Sequence, residues 1–198
     1  ILGDRNRARK AISDGLMIAK QEEEWFLCAK ASRHLASIAR QGGEPDLCGI
    51  RLDEANDFAA KIDSSENRRE MQVSLKASTA KLLVAEERYA DAIALLEEAE
   101  RHFSTLGDHY RVVKIHQALG NAHAAAGQSL EARASFKRGF EQASALGRKD
   151  EALGNATALA LLFNEDKDVT GAREWASIAI ELASDMRDAT IDPKLIWI

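Results

Sequence analysis

The feature that most limits what this chain can fold into is a stripe of small and apolar residues that returns every 40 residues or so. Ala132 anchors one copy, and its equivalents are Ala8, Cys48, Ala92 and Ala172, at spacings of 40, 44, 40 and 40. Four residues past each anchor stand Ile12, Leu52, Leu96, Phe136 and Ala176. Seven past come Gly15, Ala55, Ala99, Gly139 and Ala179, all small. Eleven past come Ala19, Ala59, Phe103, Ala143 and Ala183. Offsets of four, seven and eleven trace one face of a helix of 3.6 residues per turn. Twelve before the later four anchors lie Ala36, Ala80, Gly120 and Ala160, a small position on a preceding helix. A pair of helices this short cannot bury its apolar face alone, so the period predicts copies stacked on one another.

The best copy, Leu119–Phe140, carries a Leu119-Gly120 pair, Gly127 at the turn, and then Ala132, Phe136 and Gly139. In this it resembles the tetratricopeptide repeat, in a longer form of about 40 residues. Glu87 and Lys167 stand where that motif has its turn glycine, and Thr79 where it has leucine. The resemblance implies an all-α fold, a right-handed superhelical solenoid of antiparallel helix pairs. Read as one domain over 1–198, its copies run 1–21 (partial), 22–62, 66–106, 108–146 and 148–187, with another start or a cap at 192–198. Residues 1–3 read as the tail of a helix that begins upstream, so the chain is expected to be a segment of a larger protein.

Composition agrees with helices. Two prolines in 198 residues, with abundant Ala, Leu, Glu, Lys and Arg, leave little room for sheet. A net charge of -5 gives no general attraction to nucleic acid. No apolar run approaches the ~20 residues of a membrane helix, and no signal peptide opens the chain, so a cytoplasmic protein is expected. Cys28 and Cys48 are expected as packed thiols of a reducing compartment.

Along the chain, helices are predicted over 4–20, 22–40, 45–61, up to 86, 89–106, 109–126, 129–146, 150–163 and 169–185. The acidic run Glu22–Glu24 should open the second of them, and Pro45 should sit in a first turn. Asp108 has the place of an N-cap after Gly107. The polar stretch Asp63–Arg69 should absorb the four extra residues of the 44-residue spacing. Asp192-Pro193 should start a further helix, with Leu195, Ile196 and Trp197 in it.

In the tetratricopeptide family the first helix of each pair lines a concave groove. That resemblance implies a groove made by Lys30, Arg33, Ser37 and Arg40, then Ser74, Ala77 and Lys81. Lys114, Gln117 and Asn121 follow, with Thr157, Leu161 and Asn164 at the far end. The set holds five cations and no carboxylate, while Asp53, Glu54, Asp57, Glu97, Glu98, Glu100 and Glu141 fall on outer helices. A basic strip favours an acidic peptide or an acidic patch on a protein partner. Asn121 matches a place where some members of the family hold a terminal carboxylate, but Ser37, Lys81 and Leu161 in the other copies do not complete that clamp.

Chemistry finds little support. His102, His109, His116 and His123 recur every seven residues, but a seven-residue step rises ~10.5 Å along a helix, too far for a shared ion. They are read as packing residues and no metal site is expected. Cys28 has no histidine at motif spacing, and neither phosphate-loop pattern is present. No catalytic residue and no cofactor is expected. The chain is read as a protein-interaction module, resembling the repeats of bacterial signalling proteins such as LuxR-type activators, peptide-sensing regulators and cyclase-linked sensors. A self-association scaffold, joined through terminal repeats and Trp197, and a small-effector-binding regulatory domain are the alternatives. For an interaction module, Lys81→Glu with Lys114→Glu should abolish binding of an acidic peptide.

Overall fold

The computed structural model describes residues 2–186, with side chains from residue 4. Among them lie nine helices and no strand: α1 (Leu2–Gln21), α2 (Trp25–Gln41), α3 (Pro45–Ala60), α4 (Ser65–Ala85), α5 (Tyr89–Thr105), α6 (His109–Ala125), α7 (Ser129–Ala145), α8 (Lys149–Glu165) and α9 (Val169–Ser184). The expected helix at Asp192-Pro193 and the role given to Trp197 lie outside the described residues. The chain forms two compact units, Ile1–Leu95 and Leu96–Ile198, with the boundary inside α5.

Burial follows the 40-residue period. Cys48, Ala92, Ala132 and Ala172 are at most 2% exposed, and Ala55, Ala99 and Ala179 are fully buried. Leu52, Leu96 and Phe136 at the next position along the stripe are buried too. Ala8 and Gly15 differ, for both are exposed. In the pairs α2–α3, α6–α7 and α8–α9 this face is covered by the first helix of the same pair, and α1 has no such helix ahead of it among the described residues. A Cβ on Gly15 would meet nothing within 4 Å. Gly15→Ala should therefore raise stability by about 0.5–1 kcal/mol, the ordinary gain for filling a helix-interior glycine, read as a higher urea midpoint.

The turns repeat at half the period of the helices' packing. Backbone with positive φ occurs at Glu23, Gly43, Glu87, Gly107, Gly127, Gly147 and Lys167. Apart from the step from 43 to 87, these stand 20 residues apart. At each, the next amide donates to a carbonyl five residues back, as Gln128 N does to His123 O at 2.9 Å and Arg148 N to Ala143 O at 2.8 Å. This is the Schellman end of a helix, and it serves both the turn within a pair and the turn between pairs. Glu87 and Lys167 do hold the left-handed conformation in place of glycine. Glu22–Glu24 do not open α2 as expected: Glu23 occupies the positive-φ site and Glu24 is the N-cap, so the acidic run is the turn itself.

The irregular connection is α3 to α4, where no residue has positive φ. Its four extra residues do not form a loop at Asp63–Arg69. They lengthen α4 to 21 residues against the usual 17, one more helical turn. Ser64 caps α4 by accepting from Asn67 N at 3.2 Å, and Arg68 Nε reaches back to Ile62 O at 2.8 Å. Asp108 caps α6 through Arg111 N at 3.0 Å, and Pro45 stands in the first turn of α3, both as the sequence predicts.

Candidate interaction surface

In the first unit, α2 and α4 are the first helices of successive pairs and touch each other directly. Lys30, Arg33, Ser37 and Arg40 lie on α2; Ser74, Ala77 and Lys81 lie on α4. Lys30 and Lys81 are exposed, and the other five are half-buried. The composition of these helices decides their electrostatics. α2 contains no Asp or Glu at all, and α4 contains none after Glu70. Together, Trp25–Gln41 and 71–85 carry Lys30, Arg33, Arg40, Lys76 and Lys81 plus His34. The carboxylates Asp46, Asp53, Glu54 and Asp57 sit on α3. Glu54 is engaged there by Lys20 at 2.8 Å, Arg51 at 2.7 Å and Ser32 at 3.1 Å.

His34 belongs to this strip, although the sequence reading left it out. It follows Lys30 by four residues and precedes Gln41 by seven, so it shares their face of α2, and it is exposed. Partial burial, then Arg33 and Lys30, push its pKa below the ordinary 6.5. The i, i+4 spacing from Lys30 was the signal available in the sequence.

The second unit has a different character. α6 brings Lys114, Gln117 and Asn121, and α8 brings Thr157, Leu161 and Asn164; the two helices are in contact. Gln117 lies over Gly154, its amide nitrogen 2.9 Å from where a Cβ would stand. The expectation that this surface holds no carboxylate fails at Glu151. That side chain, 5% exposed, stands in the first turn of α8 and accepts from Lys114 Nζ at 3.0 Å and from Arg148 Nε and Nη2, each at 3.2 Å. Tyr110 faces both cations, with Lys114 Nζ 5.5 Å and Arg148 Cζ 4.7 Å from its ring centre. Lys114 is therefore spoken for within the fold. The sequence puts Lys114 in this helix, but not beside a carboxylate 37 residues on, because helical period gives a residue's direction and not its neighbour's register.

Burial works against the charge on Glu151, yet hydrogen bonds from Arg148 and Lys114 overcome it and hold the carboxyl at about 2, against 4.5. A depressed folded-state pKa contributes stability above the unfolded value and loses it as pH falls through the folded one. The advantage of wild type over Glu151→Gln should hold at neutral pH, shrink from 4.5 downward, and vanish near 2. Urea unfolding of both proteins across that range checks it.

Three of the four histidines in the series have partners within the fold, whereas His109 is exposed at the start of α6. His116 is 3% exposed, and its Nε2–H donates to Glu100 Oε1 at 2.8 Å. His123 donates to Gln128 Oε1 at 2.7 Å, and the His102 ring packs edge-on to Phe103. Among the described residues no group of three or more His, Cys, Asp or Glu side chains is placed to hold a metal ion. Cys28 and Cys48 are buried free thiols whose pKa is pushed up by that burial, which is the packed state expected of them. No helix among the described residues is long and apolar enough to cross a membrane.

The crystal structure of BtubC (BKLC) from P. vanneervenii superposes on this chain with a TM-score of 0.75, covering 96% of it and 77% of BtubC, at 15% identity. Two structures of a Podosopora anserina putative kinesin light chain with nearly identical TPR-like repeats, one a Q17M form, give TM-scores of 0.63 and 0.60. Each covers 94% of this chain and 90% of its own, at 17% and 18% identity. The fold is that of tetratricopeptide-like repeats. No family model and no curated protein matches the sequence. Identities this low carry the TPR-like fold and nothing of the neighbours' partners.

Proposed function

We propose that this chain is a protein-interaction module, and that the α2–α4 surface of its first unit receives an acidic segment of a partner. The observation that carries this reading is the absence of any carboxylate from α2 and from α4 beyond Glu70, beside five cations, in a chain of net charge -5. Opposite charge on the partner speeds encounter and selects against basic competitors. A preformed helical surface binds without first having to order itself. By resemblance, the parent is a bacterial signalling or regulatory protein in which this segment receives the signal.

Lys30→Glu with Lys81→Glu is the test, since both residues are exposed and lie in one unit. Lys114→Glu is left out, because it breaks the bridge to the buried Glu151 of the second unit. Fluorescence anisotropy with a labelled oligo-aspartate peptide should show binding to wild type that weakens about tenfold or more in the double variant, and weakens with salt. Equal binding by both proteins would refute the assignment of the surface.

A further inference from the structure

We propose that the α2–α4 surface takes up a proton when it binds an acidic segment, and that His34 is the group that receives it. This rests on the reading above and adds to it a dependence on pH. His34 lies at the centre of the exposed face of α2, one turn from Lys30 and next to Arg33, with Ser37 and Gln41 continuing the same line. The charged groups that bear on it are Arg33 and Lys30, both of its own helix. Among the described residues none comes from α1, α3 or α4, the helices packed on α2. A neutral imidazole in this place is the one member of the strip that can still gain charge near neutrality.

With the surface empty, partial burial and the two cations favour the neutral ring. A bound row of carboxylates reverses the local field and offers acceptors for both ring N–H groups of an imidazolium. The pKa of His34 is then higher in the complex than in the free protein. Affinity must rise as pH falls through the value in the complex, and must level off below the free value, which lies under 6.5. The surface thus holds its partner more tightly in mildly acid conditions.

The probe is the same oligo-aspartate peptide, whose side chains ionise near 3.9 and so keep constant charge over the working range. Wild type should bind it about three- to tenfold more tightly at about pH 5.5 than at about pH 7.5. His34→Gln should bind at both values with the weaker affinity of the neutral ring. His34→Lys, with a fixed charge, should bind tightly at both. Calorimetry near neutrality in two buffers of different ionisation enthalpy should register proton uptake by wild type and none by His34→Gln. If wild type and His34→Gln share one pH profile, His34 is not the acceptor, and the interaction reading stands without it. If the peptide binds none of the three proteins at either pH, both the interaction reading and the proton coupling fall.

Discussion

Gly120→Ala is expected to destabilise the second unit by about 2–3 kcal/mol, although the same change in an open helix would stabilise it by about 1 kcal/mol. Gly120 is on α6, and a Cβ there would stand 2.6 Å from two ring carbons of Phe136 on α7. The ring cannot swing clear, because Phe136 is 2% exposed and packed with Ala132, Leu159 and Leu162. Phe136→Ala should cost about 3–5 kcal/mol through the lost burial and the cavity left behind. In the double variant the alanine methyl occupies part of that cavity. The two costs should then sum to more than the double variant's own, a coupling that urea unfolding of all four proteins would measure. If Gly120→Ala proves stabilising, the close approach of α6 and α7 is wrong.

The second large effect lies between pairs, where α7 meets α8. Gly139 faces Asn155, and a Cβ on it would lie 2.7 Å from the side-chain oxygen and 3.0 Å from the carbon bearing it. Asn155 is fully buried and fixed by its own amide, which donates to Glu151 O at 2.8 Å, while its oxygen has no donor and rests against the glycine. Gly139→Ala must push a held polar group into a packed core, at about 2–3 kcal/mol. Asn155→Ala removes the obstacle together with an unpaired buried oxygen, so it should cost less than a typical buried truncation and should rescue Gly139→Ala. Gly154→Ala is the control. It meets only the flexible end of Gln117, which can move aside, and should be close to neutral.

These two sites show what in the chain was open to reading beforehand. In the best copy the small residue twelve before the anchor lies against the larger one four after it, Gly120 against Phe136. The recurring stripe reveals the packed face before any coordinates, as do Asp108 and Pro45 at helix starts. The partners of charged side chains were not open to the same reading. Glu151 has the spacing of any first-turn carboxylate, and only the register of α6 against α8 brings Lys114 and Arg148 to it. The extra turn of α4 was hidden for another reason, since Asp63–Arg69 is as polar as a loop yet sits where Ser64 can cap a helix. The exposure of Ala8 depends on which helix lies opposite, a matter its own sequence does not record.

The recurrence of one hinge geometry at every connection but that from α3 to α4 bears on how such a chain can change its length. Since the bend that leaves an outer helix matches the one that leaves an inner helix, a break in any of these bends can be rejoined to another without inventing a new connector. Removal of two helices keeps every remaining segment in its former role, whereas removal of one exchanges the roles of all that follow. Of the two, only the even deletion should yield a protein that still folds, wherever along the row the cuts are made.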